Sequence, residues 1–244
     1  MTHMAISVVF FDAAGTLFGV KGSVADIYLR HAEKYGVKQS AETRAAISSA
    51  FHRAFDEAPP PVFAVHDPAQ IKRCERLWWF DIVHHVFYRV GMFDGFDEYF
   101  EEVFQAFGGP EYWSLFPDTT SVLKQLKDRG IEIGIISNFD SRLFNILRGL
   151  GLSDLFDTVT IASLAHAAKP SPKIFELALA KHAVDPVEAL HVGDSLKDDV
   201  GGAAAAGLHA VHLSRSQPGS IAVPSRTTLS IHSLEELLPA VRPL

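Results

Sequence analysis

Five short, almost wholly apolar runs, at residues 7–11, 133–136, 159–162, 189–192 and 210–213, constrain this chain more than any other feature. They are too short for helices and lack the polar alternation of a half-solvated strand. A buried parallel strand with helices over both faces reads this way. A weaker sixth run lies at 228–231. Helical segments at about 119–129, 141–150, 172–183 and 198–206 separate the runs with short connections. Such alternation predicts an α/β fold with an open, mostly parallel sheet. Local signals agree: Asp118 is placed to N-cap one helix and Gly130 to end it, while Ser233 with Glu236 can form a capping box.

Residues 20–114 follow another pattern, with helical periodicity, no convincing strand and many aromatic residues from Trp78 to Phe107. The stretch ending in Pro59, Pro60 and Pro61 must be an irregular connection. This predicts a helical domain inserted between the first two strands, with its rings forming helix–helix core and one or two of them facing a substrate. The expected division is a core of residues 1–19 and 115–244 around a cap of 20–114. With 244 residues, 48% of them hydrophobic, the chain can bury such a core.

Lys and Arg total 22 against 29 Asp and Glu, a formal net charge of −7 without a basic run, which argues against general nucleic-acid binding. The single cysteine, Cys74, permits no internal disulfide and fits a reducing compartment. No leader-like N-terminus and no apolar stretch of about 18 residues is visible, so a cytoplasmic protein away from membranes is the expectation. The 12 histidines show no metal-ligand spacing; His3, His84 and His85 read as surface or packing residues.

Ligands of open α/β sheets sit beyond the carboxyl ends of the strands. Four of the runs lead there into polar residues: Asp12 with Ala13, Ala14, Gly15 and Thr16; Ser137 with Asn138; Lys169; and Asp194 with Ser195, Asp198 and Asp199. Singly, each has a plain alternative. Asp12 could open a turn, Ser137–Asn138 or Asp194 could cap a helix, and Lys169 could be a solvated loop residue. Their order along the chain makes the set persuasive.

In that order the segments FFDAAGTLF, IISN, AKPSPKIF and HVGDSLKDD resemble the four motifs of the haloacid dehalogenase superfamily, and the resemblance covers essentially the whole chain. RLWWFDIV, ISNFDSRL and HVGDSLKDDVGGA are further similar to a subgroup that includes the HDHD3-like and fly rhythmically expressed proteins. The resemblance implies a Rossmann-like core with a type-one helical cap and a small, anionic substrate. Asp12 would be the covalent nucleophile. Asp12, Asp194 and the main-chain carbonyl of Ala14 would hold Mg²⁺, a hard cation that favours oxygen. Lys169 would neutralise the nucleophile and a phosphoryl oxygen, and Ser137 and Asn138 would bind substrate. Asp199, or else Asp198, would orient Lys169 or hold a water, and Thr16 would brace the first loop.

One position departs from the superfamily's phosphatases, which carry a second aspartate two residues after the nucleophile. Here that residue is Ala14. Loss of a general acid/base typically costs on the order of 10² to 10⁴ in rate. Three readings follow. The first is a Mg²⁺-dependent phosphatase of weakened activity, suited to aryl or acyl phosphates. The second is a metal-independent 2-haloacid dehalogenase, whose halide leaves without a proton and whose cradle would come from Arg44, Arg73 or Arg76. The third is a catalytically feeble protein that binds a ligand or partner.

Overall fold

The structure, a computed structural model, describes residues 4–215 and 229–242. His3 and Thr228, the start of the sixth expected run, lie outside them. Six parallel strands form the central sheet: β1 (Val8–Phe11), β2 (Glu132–Ser137), β3 (Thr158–Ile161), β4 (Ala189–Gly193), β5 (His209–Leu213) and β6 (Leu229–Ile231). Their spatial order is β3-β2-β1-β4-β5-β6. The order reverses between β1 and β4, which opens a crevice at their carboxyl ends.

Side chains of β1 alternate between two cores, as the period of two requires. Val9 and Phe11 pack with Val122, Leu126 and Ile146, whereas Val8 and Phe10 pack with Ile174, Phe175 and Ala178. Four helices form a separate layer above the strand ends: α1 (Val24–Ala32), α2 (Ala41–Glu57), α3 (Pro68–Val90) and α4 (Phe96–Ala106). Ser23, Ser40 and Asp67 cap the first three by accepting main-chain N–H bonds. Phe87, Phe96, Tyr99 and Phe100 form much of the core of this layer, while Tyr88 faces solvent. An antiparallel ribbon of Phe18–Val20 and Trp113–Leu115 carries the chain out of the sheet and back. These strands have three residues each, too few for a readable period.

Three helix expectations shift. The segment expected at 141–150 is helical over Leu143–Gly149, because Asp140, Ser141 and Arg142 bond to the cap instead. The segment expected at 198–206 begins as a π-helical turn, Leu196–Gly201, before a short α-helix, Gly202–Ala205. Ser233 and Glu236 do form a capping box, on a single 3₁₀ turn at Leu234–Leu237. No helix among the described residues is long and apolar enough to cross a membrane.

Asp118 precedes the helix Thr119–Asp128, yet its side chain makes no cap bond to it. The carboxylate accepts instead from Arg215 Nη1 and Nη2 (3.1 and 3.0 Å), from Ser233 Oγ and from the Leu234 N–H. Arg215 also donates to the Thr16 carbonyl at 2.7 and 3.1 Å, so this cluster ties the last strands to the loop after Asp12. Burial alone would raise the Asp118 carboxyl, but Arg215 and the Leu234 N–H hold it below the usual carboxylate value. A depressed carboxyl stabilises the fold above its unfolded pKa, near 4, and that contribution drains as pH falls toward the folded value. Asp118→Asn should therefore lower stability at pH 7 by about 1–3 kcal/mol. The cost relative to the native chain should shrink below about pH 4 in urea unfolding followed by circular dichroism.

Candidate active site

The loop after β1 turns tightly at Ala13, whose carbonyl accepts from Leu17 N at 2.8 Å. Gly15 adopts φ +91°, and a Cβ there would collide with the Asp194 carboxylate, so glycine is needed twice over. Asp12 N donates to Val192 O (2.9 Å), extending the β1–β4 ladder to the nucleophile candidate itself. Gly193 answers a similar demand: a Cβ there would overlap the Asp199 side chain delivered by the π turn.

These constraints bring four distant segments together. Lys169 Nζ donates to Asp12 Oδ1 and to Asp199 Oδ1, at 2.6 Å in each case. The Lys169 peptide is clamped in turn by Asn138, whose Oδ1 accepts from Lys169 N (2.8 Å) and whose Nδ2 donates to Lys169 O (3.0 Å). Asn138 also lines the cavity, with much of its amide committed to the lysine main chain. Asp199 is also bonded to His191 Nε2 (2.8 Å) and Ser195 N (3.0 Å), which leaves it a holder of Lys169. Asp198 instead has its N–H on Ser195 Oγ at 3.0 Å. Ser137 is buried at the end of β2, on the same cavity. Thr16 braces its loop through the carbonyl that Arg215 grips, while its buried hydroxyl has no partner among the described residues.

The electrostatics favour added positive charge. Asp12, Asp194 and Asp199 each offer an oxygen within 4.8 Å of the others. One ammonium faces these three carboxylates, so the cluster carries an excess of two negative charges when all are ionised. Burial pushes the Asp12 carboxyl up, with Lys169 pulling it down and Asp199 adding to the rise. Burial, with Asp12 and Asp199 nearby, pushes Asp194 up to about 7 although its side chain opens to the cavity. Lys169 is held above its ordinary value: burial opposes its charge, but Asp12 and Asp199 outweigh that cost.

Above the cluster lies a cavity of about 300 Å³ between core and cap. Ala14 contributes a methyl group to its wall, and among the described residues no histidine lines it. Arg44, Arg73 and Arg76 do not line it either, which corrects their assignment as a halide cradle. Arg44 pairs with Asp26 and Arg76 with Glu101 on outer cap faces, and Arg73 is exposed. The guanidinium that does line the cavity belongs to Arg142. It forks onto Asp140 (2.9 and 2.6 Å), donates to Phe104 O (3.0 Å) and stacks on the Phe104 ring at 4.1 Å.

Sequence reasoning missed Arg142 and two cap residues. Glu75 is buried where α3 meets the core and accepts from Ser141 N (3.0 Å) and Ser163 Oγ (2.5 Å). Trp79, one helical turn later, donates to Asp140 Oδ2 at 2.5 Å. The signal in the sequence was a Glu and a Trp at i and i+4, which share a helix face; their partners lie more than sixty residues away.

The sheet reverses at β1/β4, and Asp12, Lys169 and Asp199 converge there under a helical cap. Comparison with known proteins places the chain. Residues 6–207 match the family model of the haloacid dehalogenase-like hydrolases. Mouse haloacid dehalogenase-like hydrolase domain-containing protein 3 is 31% identical over 99% of this chain and 96% of its own length. The Escherichia coli pyrimidine 5'-nucleotidase YjjG is 39% identical over 50% of this chain and 56% of its own. A solved HAD phosphatase from Thermococcus onnurineus superposes with TM-score 0.65 at 26% identity, covering 97% of this chain and 100% of that one. The L-2-haloacid dehalogenase RSc1362 shares the fold with TM-score 0.70 at 23% identity, covering 98% and 99%. The chain therefore belongs to the haloacid dehalogenase-like hydrolases, within the superfamily group of the domain-containing protein 3 relatives.

The buried ion cluster yields a direct expectation. Lys169→Met leaves Asp12 and Asp199 facing each other without a cation and should cost about 3 kcal/mol of stability. Adding Asp12→Asn should restore at least about 1 kcal/mol, a non-additivity measured by urea unfolding of the two single variants and the double variant.

Proposed function

We propose that the protein is a Mg²⁺-dependent phosphohydrolase for small phosphate esters, with Asp12 as nucleophile and turnover limited by Ala14. The observation that carries this reading is the convergence of three carboxylates, Asp12, Asp194 and Asp199, on a single ammonium, Lys169, which leaves an excess of negative charge as they ionise. A divalent cation matches that excess, and the donor set is all oxygen. Asp12, Asp194 and the Ala14 carbonyl would hold the ion, since Asp199 is already committed to Lys169, His191 and Ser195 N. When bound, Mg²⁺ supplies charge neutralisation at the phosphoryl oxygens.

The protein's own groups then act in sequence. Lys169 and the Ser137 hydroxyl position a phosphoryl group over Asp12, while Asn138 and Asp199 hold the lysine in place. An Asp12 carboxylate oxygen attacks phosphorus as the bond to the leaving oxygen breaks, and the leaving group departs with that electron pair. Water then attacks the aspartyl-phosphate, the Asp12–phosphorus linkage breaks, and phosphate and a proton leave. With Ala14 in place of a proton donor, the first step favours leaving groups that depart as stable anions.

The metal-independent dehalogenase is less well supported. Ala14 would tolerate halide departure, but the cavity's guanidinium is occupied by Asp140, and a metal-free reaction at Asp12 leaves the Asp194 carboxylate beside it without a role. In the chain with Mg²⁺, Ala14→Asp should raise kcat for 4-nitrophenyl phosphate by about 10² or more, and Asp12→Asn should abolish the gain. Chloride release from 2-chloropropionate without metal, together with no phosphatase gain in Ala14→Asp, would refute the reading. Mg²⁺ should also raise the thermal unfolding temperature of the native chain, and Asp194→Asn should remove that shift.

A further inference from the structure

The phosphohydrolase reading leaves open what the phosphoryl group is attached to, and the cavity walls bear on that. Among the described residues, every cap side chain in the lining is apolar or aromatic, with rings that include Tyr28, Phe55, Trp79, Phe100 and Phe104. All the charged lining residues come from the core. Two of them are cations, and both are engaged: Lys169 by Asp12 and Asp199, and Arg142 by Asp140 and the Phe104 carbonyl. A second phosphate or carboxylate on the substrate would thus meet rings on the cap side and carboxylates on the core side, with no free cation among the described lining residues. A polyanionic nucleotide or sugar bisphosphate fits this chemistry poorly.

Two further observations narrow the class. Tyr28 is 2% exposed, and among the described residues its hydroxyl has no hydrogen-bond partner, although it lines the cavity. A neutral polar substituent on a ligand would hydrogen-bond to it in place of water. Ala14, on the opposite wall, removes the proton donor that an aliphatic alkoxide would need, whereas an aryloxide leaves unprotonated far more readily. A volume of about 300 Å³ suits a single ring system beside a phosphoryl group.

We propose that the cap cavity receives an uncharged, planar aromatic group, the leaving group of an aryl phosphate monoester. The proposal rests on the phosphohydrolase reading for its chemistry. Attack by Asp12 on phosphorus breaks the phosphorus–aryloxy bond, and the aryloxide leaves with the electron pair and is protonated by solvent.

Binding and turnover test the two readings separately. In the full chain with Mg²⁺, phenylphosphonate should bind about tenfold more tightly than methylphosphonate by calorimetry, because its ring enters the cavity. Phe55→Ala should reduce that ratio at least threefold; Phe55 is 46% exposed, so truncating it leaves the cap core intact. In turnover, 4-nitrophenyl phosphate should exceed acetyl phosphate in kcat/KM, although acetate is the better leaving group. Equal affinity of the two phosphonates, binding of neither, or a ratio unchanged by Phe55→Ala would overturn the proposal. A phenyl preference without turnover of either ester would support the ring site and refute the phosphohydrolase reading instead.

Discussion

A single ammonium group holds the site together. Lys169 bridges Asp12 and Asp199 in a buried setting where either carboxylate alone with the other would be strongly repelled. That bridge also joins separate parts of the chain: the end of β1, the loop after β3 and the π turn after β4. Asn138 at the end of β2 fixes the lysine's own peptide, so all four strand ends meet at one charge. Further support stands behind it, with His191 on Asp199 and Arg215 on the Thr16 carbonyl. Asp12, the proposed nucleophile, is therefore held by main-chain turns and paired charges.

The cap is docked by polar bonds as well as by apolar contact. Glu75 takes Ser141 and Ser163, Trp79 takes Asp140, and Arg142 reaches back to Phe104. Asp140 connects the last two, since it holds both the tryptophan N–H and the guanidinium. Trp79, Arg142 and Phe104 also line the cavity, so groups that seat the cap shape its walls.

Much of this was legible because buried parallel strands write themselves as apolar runs and their carboxyl ends collect polar residues. Asp12, Ser137, Lys169 and Asp194 could be named from that rule and the family resemblance. Arg142, Glu75 and Trp79 could not, because their roles depend on how a helix of the inserted layer lands on a loop of the core. No local period encodes a contact between residues 75 and 163. Asp118 shows the reverse failure: a good capping residue by position, it is drawn away by Arg215, an attraction between residues 97 apart in sequence. The π turn departs from the ordinary helix expected there for a related reason. Its extra width serves the placement of Asp199 against Gly193 and Lys169, a tertiary demand that helix propensity does not record.

The proposed chemistry requires a covalent bond to one carboxylate, that of Asp12. Intact-protein mass spectrometry of the Mg²⁺-loaded chain, quenched in acid during reaction with an aryl phosphate, addresses it directly. Without a base at position 14 to speed hydrolysis, a fraction of the protein should carry one phosphoryl group, mapping to the peptide containing Asp12 and absent from Asp12→Asn. Phosphate release with no such adduct, or with the adduct on another residue, would contradict the account.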